Sequence, residues 1–140
     1  MNIKSTTLSL TVAQTAASSS FLQDHFGFTE KFSAEGFAYM HHTTNGLDIV
    51  LLAVGNEVLA ESMRNKPAQG IIVAFVVDDV EAEEKRLKGE GVGITMPLQE
   101  DPWGEKLFQV TDPNGIVYQI VQWVEASDQQ YAENAGNQNW

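Results

Sequence analysis

Two stretches of this chain repeat one another, and a repeat of that size dictates a fold built twice. Residues 37–53 read Phe-Ala-Tyr-Met-His-His-Thr-Thr-Asn-Gly-Leu-Asp-Ile-Val-Leu-Leu-Ala. Residues 106–122 read Lys-Leu-Phe-Gln-Val-Thr-Asp-Pro-Asn-Gly-Ile-Val-Tyr-Gln-Ile-Val-Gln. Aligning Asn45-Gly46 with Asn114-Gly115 sets Tyr39 on Phe108. An Asn-Gly pair between two apolar runs is a strong hairpin signal.

The elements ahead of each hairpin repeat as well. From Thr7 to Val12 the chain alternates, with Leu8, Leu10 and Val12 on one face and Thr7, Ser9 and Thr11 on the other. That period of two predicts a half-buried strand. A helix is expected over about 15–26, where Ala17, Phe21, Leu22 and His25 fall near one side and Gly27 ends it. A strand near 28–32 leads into the hairpin strands at about 37–43 and 47–53. After a connector over 56–70, with a short helix around 57–64, the order returns. The second copy has a strand at 71–77, a helix from 79 to about 88, and a short strand at 92–96. A loop at 97–104 carries Trp103, and strands at about 106–111 and 116–123 follow. Each half is therefore βαβββ and the fold class is α+β, with helices on one side of curved sheets. The expected organisation is one domain over 1–125, with modules at about 5–54 and 70–124. A polar tail over 126–140 has no periodicity and is expected to be mobile.

Composition narrows the function. The formal net charge is −11 over 140 residues, which excludes the basic surface that nucleic acid requires. A strongly acidic field instead attracts cations, including cationic small molecules. Part of the acid has a structural use. Asp78, Asp79, Glu81, Glu83 and Glu84 open a helix, where the dipole favours them. The chain holds no cysteine, so disulfides and thiolate chemistry are absent. No apolar run approaches the ~18 residues of a membrane span, and Met1-Asn2-Ile3-Lys4 lacks a signal-peptide pattern. A cytoplasmic protein with no membrane partner is expected.

Three segments carry a resemblance. They are Phe21-Leu-Gln-Asp-His-Phe-Gly-Phe28, Phe75-Val-Val-Asp-Asp-Val80, and Pro102-Trp-Gly-Glu-Lys-Leu-Phe-Gln-Val-Thr-Asp-Pro-Asn-Gly115. Together they resemble the vicinal oxygen chelate superfamily over about residues 5–124. That superfamily includes glyoxalase I, extradiol dioxygenases, fosfomycin-inactivating thiol transferases and bleomycin-binding resistance proteins. The resemblance implies two βαβββ modules forming an open, cup-shaped curved sheet with helices on the outer face. It does not choose among the activities.

In the family's enzymes a divalent metal is held by the first and last strands of each module. Carried over through the family pattern and the repeat, those positions here are Thr7, Val50, Ile72 and Gln119. Valine and isoleucine have no donor atom, whereas a catalytic site needs imidazole or carboxylate. A one-residue change of register exchanges the strand faces and brings neither Asp48 nor Tyr118 to the rescue. His41 and His42 are adjacent on a strand and so point to opposite faces, and His25 is on a helix. The expectation is no metal, no cofactor and no catalytic residue of the family type.

A cup without its metal is still a concave, largely apolar ligand site. Its expected ligand-binding residues are Phe37, Tyr39, His41, Val50, Trp103, Phe108, Gln119 and Trp123. Aromatic rings beside Asp101 and Glu105 suit flat, cationic or amphipathic molecules. The expected function is sequestration of an antibiotic or related natural product, in the manner the resemblance implies for the metal-free bleomycin-resistance branch, as a homodimer. The alternative from another class is a lyase, isomerase or transferase of the superfamily acting on a small metabolite. There His41, Tyr39 or an acidic rim residue would serve as acid–base. Asp112 is expected to organise its turn through its side chain.

Overall fold

The computed structural model describes residues 1–130 of the chain. Within them run β1 (Thr6–Val12), α1 (Thr15–Phe26), β2 (Thr29–Ala34), β3 (Phe37–His41), β4 (Leu47–Ala53) and α2 (Glu61–Arg64). Then follow β5 (Ile72–Val76), α3 (Val80–Gly89), β6 (Ile94–Asp101), β7 (Glu105–Thr111) and β8 (Val117–Trp123). Two four-stranded sheets form, ordered β1-β4-β3-β2 and β5-β8-β7-β6. The α+β class and the doubled βαβββ order stand as expected. The chain divides into two compact units, residues 1–70 with 112–116 and residues 71–111 with the segment from 117 onward.

In the first unit β1 lies parallel to β4, with Thr7 opposite Asp48 and Ser9 opposite Val50. Alternation then assigns the faces. Leu10, Val12, Ala38, Met40, Ile49 and Leu51 are buried on the side that receives Leu22 of α1. Gly27 ends α1 in the left-handed region (φ 72°), and its N–H donates to the Leu22 carbonyl. Gln14, at the other end, offers no side-chain cap. Its backbone instead pairs with the distant Asn114 amide: Gln14 N–H donates to Oδ1 at 3.0 Å, and Nδ2 donates to the Gln14 carbonyl at 2.7 Å.

The second unit repeats the plan, with β5 parallel to β8 and Ala74 opposite Gln119. Val73, Phe108, Val110, Tyr118 and Ile120 are buried on the side of α3, which contributes Val80 and Leu87. Asp79 caps α3 by accepting the Ala82 N–H at 3.0 Å, with Glu81 and Glu83 in the first turn. The segment read as a loop at 97–104 is mostly strand, since β6 continues to Asp101. Pro97 breaks a ladder only where its missing N–H is needed. Here it sits on the edge strand of its sheet, inside the register shift between Met96 and Gln99.

The two hairpins are not superimposable. Eight residues, 41–48, separate the paired Met40 and Ile49, whereas seven, 111–117, separate Val110 and Tyr118. Gly115 takes φ 86°, and Gly46 does not enter the left-handed region. The extra residue slides β3 by one against its counterpart. Tyr39 pairs with Val50, and Gln109 pairs with Gln119. Gln109, not Phe108, is therefore the counterpart of Tyr39. No helix among the described residues is long and apolar enough to cross a membrane.

Candidate functional site

Each sheet turns one face away from its helix, and the candidate residues sort by parity on those faces. In the first unit Phe37, Tyr39 and His41 alternate with the buried Ala38 and Met40. Val50 shares their face, since it is the register partner of Tyr39 and of Ser9. In the second unit Gln119 and Trp123 share a face with Gln109 and Glu105, their register partners on β7. Phe108 does not belong there. It is fully buried on the α3 side opposite Ile120, and its expected ligand role is corrected by the one-residue slide just described.

The first face carries a polar cluster centred on a residue that sequence reasoning passed over. Asp48 lies two residues before Val50, hence on the same face. One of its carboxylate oxygens, Oδ2, accepts from the Tyr39 hydroxyl. The other, Oδ1, lies 2.7 Å from His41 Nδ1. The Tyr39 oxygen is also bonded by the Thr7 side chain. The bonds from Tyr39 and His41 hold the Asp48 carboxyl below the usual carboxylate range. The same bond from the other side, with burial and the Asp48 charge, raises the Tyr39 hydroxyl above its ordinary value. Phe32 extends the face in an aromatic direction. It is 61 % exposed, pairs with Tyr39 in register, and meets Phe37 edge-on at 5.7 Å.

The sign of the pH dependence follows from those directions. Asp48 binds its proton less tightly folded than unfolded, so it adds stability above the unfolded carboxylate value that is lost as pH falls through the folded one. Tyr39, raised, adds stability below the unfolded phenol value that is lost as pH rises through the folded one. Tyr39→Phe removes the hydrogen bond that does most to lower the Asp48 carboxyl, and removes the titrating phenol itself. The variant is expected to lose less stability than the parent on acidification from about pH 5 to about pH 2. Thermal melts across that range check it, and parallel profiles would contradict it.

The second face carries a chain of side chains ending at an indole. Gln109 Nε2 donates to Gln119 Oε1 at 2.8 Å, and Gln119 Nε2 donates to Glu105 Oε1 at 3.0 Å. The other oxygen, Glu105 Oε2, accepts from Trp103 Nε1 at 2.8 Å. Trp103 remains partly exposed on its turn. The turn is clamped from β8 onward: Val124 N–H donates to the Gly104 carbonyl at 2.8 Å, and Asp128 N–H to the Pro102 carbonyl at 3.0 Å. The start of the polar tail is thus tied to the Trp103 turn. The rest of the tail, residues 131–140, lies outside the described residues, and with it most of the expectation of a mobile segment.

The four positions of the metal pattern do not fit a divalent cation. Thr7 and Val50 in the first unit, and Ile72 and Gln119 in the second, offer a hydroxyl, an amide and two hydrocarbon side chains. The Gln119 amide is already engaged at both its oxygen and its nitrogen. Among the described residues no group of three or more His, Cys, Asp or Glu side chains stands ready to take an ion.

With that geometry in place, the likenesses are specific. A model of the Glyoxalase/Bleomycin resistance protein/Dioxygenase superfamily matches residues 4–120. A glyoxalase/bleomycin resistance protein/dioxygenase from Nocardioides superposes with a TM-score of 0.71 at 21 % identity, covering 92 % of this chain and 89 % of its own. TnmS3, an antibiotic binding protein from Streptomyces sp. CB03234, gives 0.68 at 22 % identity over 88 % of this chain and 98 % of its own. Lactoylglutathione lyase from Agrobacterium tumefaciens gives 0.67 at 17 % identity over 84 % and 91 %. At these identities the solved structures speak for the fold alone. Among curated proteins none matches the sequence.

Proposed function

We propose that this chain, which belongs to the glyoxalase/bleomycin resistance protein/dioxygenase superfamily, binds a small molecule and acts by sequestering an antibiotic or related natural product. The observation that carries the reading is the Trp103–Glu105–Gln119–Gln109 chain. It spends the Gln119 position on fixing a partly exposed indole beside a carboxylate, not on a metal. A pre-positioned ring loses little freedom when a flat ligand stacks on it, so stacking is not offset by ordering. The neighbouring carboxylate and the net charge of −11 favour a cationic or aromatic ligand. The antibiotic-binding TnmS3 fold supports the same reading. The protein would work in the cytoplasm as a homodimer, each chain a single domain over residues 1–125.

Elemental analysis followed by tryptophan-fluorescence titration with cationic, aromatic antibiotics tests this. The expected result is no stoichiometric divalent metal and saturable quenching near one ligand per protomer. Trp103→Ala is expected to weaken binding about tenfold, the scale of one aromatic anchor. Close to one metal per protomer, supporting turnover of a substrate, would overturn the reading.

A further inference from the structure

We propose that His41 is a general base on the β3–β4 face, positioned by Asp48, which takes a proton from a carbon acid lying flat against Phe32, Phe37 and Tyr39. The proposal goes beyond sequestration and does not depend on the ligand being an antibiotic. It starts from the Asp48–His41 bond. An ionised carboxylate only accepts, so at 2.7 Å from Asp48 Oδ1 the ring nitrogen Nδ1 carries the proton. With the proton on Nδ1, the base form of the ring is the tautomer that has its lone pair on Nε2. Nothing else among the described residues bonds this ring, and its side chain is 38 % exposed.

Asp48 is itself held in place. Its second oxygen is taken by the Tyr39 hydroxyl, so the carboxylate cannot turn away from the imidazole without breaking that bond. Its side chain is 21 % exposed, which limits competition from water. A base, an orienting acid and a third group that fixes the acid form the arrangement that general-base chemistry uses. The surroundings select the substrate class. Phe32 and Phe37 form an edge-on aromatic pair, and Tyr39 lies between Phe37 and His41 along one strand face. A flat molecule over these rings would bring an acidic C–H within reach of Nε2.

The step balances without a co-reactant. The C–H bond breaks, an N–H bond forms at Nε2, and the electron pair passes into an adjacent carbonyl as an enolate. In a β,γ-unsaturated carbonyl compound, return of the same proton to the γ carbon restores the base and leaves the conjugated isomer. A probe with self-contained chemistry is 5-nitrobenzisoxazole. Loss of its ring C–H proton to Nε2 turns the C–H pair into the third bond of a nitrile. The N–O bond breaks with its pair on oxygen, leaving a coloured phenolate.

The full chain is expected to convert this probe at least ~100-fold faster than equimolar free imidazole, the lower range of positioned general-base catalysis. His41→Ala is expected to lose that advantage, with His41→Gln as the second variant should alanine not fold. Asp48→Asn is expected to lower kcat about tenfold with KM within about twofold, because it leaves the aromatic face intact. An unchanged rate in His41→Ala or His41→Gln, or kcat and KM moving together in Asp48→Asn, would overturn the proposal. Antibiotic titration of the same samples separates the two readings. Quenching without probe turnover removes the base and leaves sequestration, and turnover without quenching does the reverse.

Discussion

Asp112→Ala is expected to lower stability by about 3–5 kcal/mol, among the larger effects a single substitution produces. Asp112 is 4 % exposed and no cation faces it among the described residues; its carboxylate is satisfied entirely by hydrogen bonds. One oxygen, Oδ1, accepts the Asn114 N–H at 2.9 Å and the Ile116 N–H at 3.0 Å, as the turn reading expected. The other, Oδ2, accepts the Ser18 hydroxyl at 2.5 Å. Ser18 is fully buried in α1 and in turn accepts from Asn114 Nδ2 at 2.7 Å. Truncation leaves three donors without their acceptor, the Ser18 hydroxyl and the Ile116 N–H in buried positions and the Asn114 N–H part-buried, and each buried group left so costs about 1–3 kcal/mol. It also loosens Asn114, which supplies the missing cap of α1. Thermal denaturation should show a fall of roughly 10 °C. Asp112→Asn keeps the oxygen that serves the two N–H groups and is expected to lose about 1–2 kcal/mol. Equal losses in the two variants would show that charge, not hydrogen bonding, governs the site.

Gly104→Ala is the second large effect, through backbone geometry. Gly104 has φ 98°, a conformation L side chains rarely adopt. A Cβ there would fall on the Val124 carbonyl oxygen, well inside contact distance, with the Ala126 nitrogen 3.2 Å away. Both neighbours are backbone, so neither can swing aside as a side chain would. The two ways out are distortion of the turn or release of the 124–128 segment, each of which breaks the Val124–Gly104 hydrogen bond. The expected loss is at least ~3 kcal/mol, from strain of about 1–3 kcal/mol plus the lost bond and contact. Trp103 neighbours Gly104 on this turn, so its indole should leave Glu105 at the same time. Limited proteolysis should cut the released segment faster, and tryptophan emission should move towards the solvent-exposed value. A melting temperature and cleavage rate equal to the parent's would refute the account.

Most of the fold was legible because its signals are local. The alternation from Thr7 to Val12, the stop at Gly27 and the acidic opening of α3 each follow from residues a few places apart, and each element appears where those residues put it. The parity that put Phe37, Tyr39 and His41 on one face, and Gln119 with Trp123 on another, is equally local. The Pro97 segment misled because a proline's cost depends on whether its strand is central or at an edge, which is a property of the assembled sheet. Phe108 misled for a related reason. Both repeats contain Asn-Gly, yet only Gly115 takes the left-handed conformation, and one extra residue in the first hairpin exchanges the face of every residue aligned across it.

Asp48 was open to inference from Val50, two residues away on one strand, but its meaning was not. A carboxylate becomes a positioning group only beside the imidazole and phenol that bond it, and those arrive from another strand. Likewise nothing in the sequence near Ser18 points to its partner: the hydroxyl donates a hydrogen bond to Asp112, 94 residues later. Period, turn chemistry and the doubled order are written in neighbouring residues, so the chain alone specified two βαβββ units and left Val50 and Ile72 without metal donors. Hydrogen-bond partners, strand register and edge position depend on residues far apart in sequence. The Asp48–His41 pair, the fixing of Trp103 and the burial of Phe108 therefore emerged only once the sheets were assembled.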